Sequence, residues 1–81
     1  MPKHVTLKYF ALLKDHTQIA SETLVTDHQT YGDLYQELAA KYHFPLSPQQ
    51  IKIAVNDEFV HLTDAITDGA VIVFIPPVAG G

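Results

Sequence analysis

Val5, Leu7 and Tyr9 alternate with His4, Thr6 and Lys8, the period of two expected of a strand with one buried face. Phe10 prolongs the alternation on its polar side. Residues 11–16 mix apolar and polar side chains and predict one helical turn. Ser21 to Thr26, rich in Thr and Val, predicts a second strand. The period then lengthens. Tyr31, Leu34, Tyr35, Leu38 and Tyr42 recur at helical spacing, and Thr30 with Asp33 resembles a capping box with Asp in place of Glu. Gly32 weakens the helix start, and His43-Phe44-Pro45 ends it, because the residue before proline avoids helical angles and proline cannot donate. Residues 46–50, with Ser47-Pro48, predict a loop. Alternation returns at Ile51, Ile53 and Val55, and Asn56-Asp57 suits a two-residue turn into a short strand at Phe59-Val60. Residues 63–68 predict a single helical turn, and Asp68-Gly69 turns into a last strand over 70–75. That strand is apolar on both faces, Ile72 and Phe74 on one and Val71, Val73 and Ile75 on the other, which places it at the centre of a sheet.

Two strands, one main helix and three more strands predict an α+β domain with a mixed sheet of about five strands, the β-grasp arrangement of ubiquitin-like domains. The expected division is a domain over 1–75 and an extended tail over 76–81. At 81 residues there is room for one small core. The net charge of −4 comes with five lysines and no arginine, which argues against nucleic acid and toward a basic partner surface. With no cysteine there is no disulfide, thiolate metal site or thiol nucleophile. No apolar run reaches the ~20 residues of a membrane span, so a soluble, cytoplasmic protein is expected.

The side chains offer little chemistry. His4, His16, His28, His43 and His61 are scattered without metal-ligand spacing, so no metal site is expected, and no glycine-rich phosphate loop occurs. Asp57-Glu58, Asp64 and Asp68 read as solvated turn acids, and no hydroxyl is marked as a nucleophile. No active site of the chain's own is expected.

The tail remains. Pro76 and Pro77 fix φ near −65° and hold the chain extended, after which Val78, Ala79, Gly80 and Gly81 shrink to bare backbone. Six such residues reach roughly 20 Å at ~3.3 Å each, a thin arm that could thread a tunnel. Its terminal carboxylate is ionised at neutral pH and is a poor electrophile. Reaction requires a partner to convert it to an acyl adenylate with ATP. A sulfur donor can then displace AMP and leave a thiocarboxylate. Glycine suits the tip because no Cβ obstructs the carbonyl.

The ending Phe74-Ile75-Pro76-Pro77-Val78-Ala79-Gly80-Gly81, with Tyr9-Phe10-Ala11, Ala54-Val55-Asn56 and Thr67-Asp68-Gly69, resembles the small, sulfur-carrier subunit of molybdopterin synthase over nearly the whole chain. The resemblance implies that an E1-like adenylyltransferase adenylates Gly81 and that a sulfur donor enzyme completes the thiocarboxylate. The arm would then enter the large catalytic subunit, within a heterotetramer, and give its sulfur to cyclic pyranopterin monophosphate. The chain itself would be a non-catalytic subunit that binds no cofactor; ATP serves the activating partner. Gly81 would carry the chemistry and Gly80 its access. Phe10, Lys14, Phe59, Ile75, Pro76, Pro77, Val78 and Ala79 would meet partners. Lys14 replaces an arginine common in that family, and Ile75 an aromatic.

The sheet face away from the helix supports docking independently. Phe10, Val73 and Ile75 are expected to project from it, with Phe59 nearby, and such a patch on a small domain marks an interaction site. Rival readings are a thiazole-pathway sulfur carrier, a ubiquitin-like modifier that forms isopeptide bonds, and a binding module that makes no use of its terminus.

Overall fold

The computed structural model describes residues 2–77. Its elements are β1 (Lys3–Tyr9), α1 (Ala11–Thr17), β2 (Ser21–Thr26), α2 (Tyr31–Tyr42), β3 (Lys52–Val55), β4 (Glu58–Val60) and β5 (Val71–Ile75), with a 3₁₀ turn at Pro48–Gln50. The five strands form one sheet in the order β2-β1-β5-β3-β4. β5 lies parallel to β1 and antiparallel to β3, while β1–β2 and β3–β4 are antiparallel pairs. The strand that is apolar on both faces is thus the central one.

Strand parity decides what lies under the helix. Val5, Leu7, Tyr9, Ile53, Val55, Ile72 and Phe74 point to one side, where they form a single core with Tyr31, Leu34, Tyr35 and Leu38 of α2. Ile72 and Phe74 are fully buried, and the Tyr35 ring meets Phe74 edge-on at 5.2 Å. The Tyr35 hydroxyl donates to the Leu46 carbonyl at 2.9 Å, so the ring enters the core without leaving a buried polar atom unpaired.

The start of α2 is capped as its sequence predicts, with the Asp33 N–H donating to Thr30 Oγ1 at 3.2 Å. His43 closes the helix in the left-handed region at φ 59°, and the Phe44 N–H bonds back to the Ala39 carbonyl. Asn56 and Asp57 both have positive φ, the mirror-image turn a tight hairpin requires.

Gly32 has a reason that helix propensity misses. Its N–H donates to the Leu62 carbonyl at 2.9 Å, and a Cβ there would stand 3.1 Å from that oxygen. Alanine favours a helix by up to about 1 kcal/mol over glycine. Overpacking against backbone costs about 1–3 kcal/mol. The clash should win: Gly32→Ala is expected to lower stability by about 1 kcal/mol in urea titration, and a stabilised variant would contradict the contact.

Three local expectations change. Residues 11–16 belong to a seven-residue helix, Ala11–Thr17, rather than to one turn. Ala11 enters it at φ 50°, and burial of Leu13 and Thr17 anchors it. Residues 46–50 are not simply loop, because Ser47 N–H donates to Gln50 Oε1 at 2.8 Å and shapes the 3₁₀ turn. Residues 63–68 are not helical. His61 and Asp64 close a turn, and Ala65 then bridges Thr30 while the Ile66 N–H bonds to the Gln29 carbonyl. Burial of Ile66 in the core anchors this stretch.

One acid serves the interior of the fold. Glu22, on the helix-facing side of β2, accepts from the Tyr9 hydroxyl at 2.6 Å and the Tyr42 hydroxyl at 2.8 Å. Burial, then the bond to Glu22, pushes the Tyr9 phenol above its ordinary range. The same two causes act in the same direction on Tyr42, and burial alone on Tyr35.

Candidate docking site at the tail-bearing end

Parallel pairing of β1 with β5 puts the C-terminal ends of both strands at one end of the sheet. Because β3 runs against β5, it begins at that same end, with Lys52 opposite Ile75, and β4 finishes there. Phe10, Lys52, Val60 and the exit of the tail are therefore neighbours in topology although far apart in sequence.

The outward face of this end is apolar at its centre. Lys8 pairs with Val73, Val73 with Ala54, and Ala54 with Phe59, so these four residues form a row across the sheet. Ile75 lies one step nearer the end, beside Lys52. Phe10 has extended angles (φ −133°, ψ 154°) and keeps the parity of Lys8, which turns its ring outward. Phe59 is 73% exposed and Phe10 53%, whereas Val73 and Ile75 are half-buried among their neighbours. Two aromatic rings left in water around an aliphatic strip form a patch that a partner would cover. A hollow of about 530 Å³, lined by Ile51, Lys52, Phe59, Val60 and residues 61–63, borders the patch.

Pro76 is half-buried and Pro77 exposed, and neither is in a strand. Val78, Ala79, Gly80 and Gly81 lie outside the described residues. Lys14 sits exposed on α1, one turn after Phe10, whose carbonyl accepts from its N–H at 3.4 Å. The structure thus gathers Phe10, Phe59, Ile75 and the prolines at one end, with Lys14 on the adjoining helix.

Sequence reading missed Lys8 and Lys52, which are exposed on the apolar face, one in the row with Val73 and the other beside Ile75. Their parity was legible, but sheet order, which brings both beside β5, was not. Neither forms an ion pair among the described residues. The rim of the patch is therefore basic although the chain carries −4 overall. An acidic rim on a partner suits this face better than the basic surface that net charge suggests. Among the described residues no three His, Cys, Asp or Glu side chains gather as a metal ion would need, and no helix is long and apolar enough to cross a membrane.

A mixed sheet in this order, with α2 packed on one face, defines a ubiquitin-like β-grasp protein. Residues 7–81 match the ThiS family, and the chain belongs to it, among ubiquitin-like sulfur carriers. Solved structures agree in fold. The small archaeal modifier protein 1 of Methanosarcina acetivorans is 21% identical with a TM-score of 0.79, the match covering 100% of this chain and 99% of that one. A Pyrococcus furiosus protein named for subunit 1 of molybdopterin converting factor is 24% identical with a TM-score of 0.77, covering 94% and 99%. A Helicobacter pylori complex of subunits 1 and 2 of molybdopterin-converting factor contains a chain that is 26% identical with a TM-score of 0.62, covering 96% and 99%. The resemblance to molybdopterin synthase small subunits thus holds across the fold.

Proposed function

We propose that this protein is the sulfur carrier of molybdenum cofactor biosynthesis and that its reactive group is the Gly81 carboxylate. The observation that supports the reading is where the chain leaves the sheet toward the arm. It leaves the central strand at Ile75, at the end of the sheet where Phe10 and Phe59 expose their rings. A partner seated on that patch would receive the arm directly, with Pro76 and Pro77 holding it extended.

In the proposed sequence, a carboxylate oxygen of Gly81 attacks the α-phosphorus of ATP in an E1-like adenylyltransferase and expels pyrophosphate. Sulfide released by a donor enzyme then attacks the acyl carbon as HS⁻, AMP departs with the bonding pair, and loss of the S–H proton leaves a thiocarboxylate. The arm next enters the large subunit of a molybdopterin synthase, in a heterotetramer, where its sulfur bonds to cyclic pyranopterin monophosphate and water cleaves the resulting thioester, restoring the Gly81 carboxylate. This chain contributes the docking face, the arm and the acyl group, and its partners contribute the catalysis. The complex of subunits 1 and 2 from Helicobacter pylori supports a partner of that kind.

The likeness to small archaeal modifier proteins keeps protein conjugation as a second reading. Intact-mass measurement of the protein from cells separates the two. The expected result is a population heavier by one sulfur in place of one oxygen. A chain found only unmodified, or joined through Gly81 to lysines of other proteins, would overturn the sulfur-carrier reading.

A further inference from the structure

The two edges of the sheet are unlike. β4 is three residues long and follows a tight turn, so it offers a neighbour almost nothing to pair with. β2 is six residues long, with no proline, no lysine and a single acid, Glu22, which turns inward to the tyrosines. Such an edge lacks the devices that normally discourage pairing.

Its free main-chain groups can be assigned. The Tyr9 N–H donates to the Ala20 carbonyl at 2.9 Å, and the Thr6 N–H to Ala70 on the β5 side at 2.9 Å. Odd residues of β1 therefore bond toward β2 and even ones toward β5, as the antiparallel alternation requires. The β1–β2 register then turns the N–H and C=O groups of Glu22, Leu24 and Thr26 toward β1, and those of Ser21, Thr23 and Val25 toward solvent. The three outward residues are uncharged and exposed, with Val25 58% exposed on the face away from α2.

We infer that this edge pairs with a second copy of the same chain, β2 against β2, antiparallel about a two-fold axis through Thr23. The occupant follows from self-complementarity. With Thr23 opposite its own copy, Ser21 meets Val25 at both ends, so all three outward residues fall into hydrogen-bonded pairs. That gives roughly six main-chain hydrogen bonds at two per pair. Glu22 falls opposite Leu24, so no like charges meet. The two sheets become one of ten strands, with both docking faces open on the same side and the ends of the two β5 strands at opposite ends of it.

Sedimentation equilibrium of the full chain, from about 10 µM to about 1 mM, tests this, with a weak dimer of Kd on the order of 100 µM expected for so small an interface. Thr23→Lys sets two like charges across the axis and should weaken the dimer at least about tenfold, as should Thr23→Glu. Mixing the two variants should restore association to within about threefold of the unaltered chain. Thr23 is exposed, so melting curves should show both variants folded. A chain monomeric throughout, charged variants that dimerise unchanged, or a mixture no tighter than its components would each overturn the proposal. Loss of the dimer in Phe59→Asp would also overturn it, by placing self-association on the docking face.

Discussion

Deletion of Gly81 should abolish sulfur transfer while the domain melts as before; this is the largest effect expected of any single change in the chain. The core explains the second half of the result. Its last member among the described residues is Phe74, and β5 ends one residue later at Ile75. The reading of the arm explains the first half. Gly81 supplies the only acyl group in the proposed reaction, and moving the carboxylate back by one residue takes it ~3.3 Å from where a partner's catalytic groups must meet it. Misplacement of about 1 Å can already cost about a hundredfold in rate. Single-turnover assays with purified activating enzyme and large subunit, beside a melting curve, check both halves. Undiminished transfer by the shortened protein would remove Gly81 from the mechanism, and a lowered melting temperature would mean that the arm supports the fold.

The second large effect belongs to the docking face. Phe59→Asp should weaken binding to the large subunit by at least roughly a hundredfold, about 2.7 kcal/mol, with almost no change in melting temperature. An aspartate there would be hydrated in the free domain, because Phe59 is 73% exposed, but an interface would have to desolvate it. Ile75→Asp should lose binding to a similar degree and also melt earlier. Ile75 is half-buried between Lys52 and the adjoining strands, so part of its cost falls on the free protein. Calorimetric titration and thermal melts on the same samples separate the contributions. Normal binding by Phe59→Asp would show that partners dock elsewhere.

The sequence by itself determined the elements whose local and global preferences agree. Alternation in β1, helical spacing from Tyr31 to Tyr42, positive φ at Asn56-Asp57 and the doubly apolar β5 each follow from side-chain period or backbone sterics over a few residues. The ending Pro-Pro-Val-Ala-Gly-Gly likewise suggested its chemistry without coordinates, because that chemistry depends on backbone and carboxylate alone.

Tertiary structure decided what depends on distant partners. Residues 63–68 predict a helical turn but instead leave a turn and bridge the start of α2, because Gln29 and Thr30 pair with them and Ile66 is drawn into the core. Glu22 takes an inward position on β2 that no local pattern announces, because two tyrosine hydroxyls 13 and 20 residues away bond to it. Gly32 reads as a flaw in a helix until the Leu62 carbonyl is seen against it. Lys8 and Lys52 became neighbours of the docking patch only through the strand order β2-β1-β5-β3-β4. Parity along a strand is a local property written in the side chains. Which strands lie beside one another is settled by long-range pairing and a shared core, and that order decided where the patch, its basic rim and the open edge of β2 would fall.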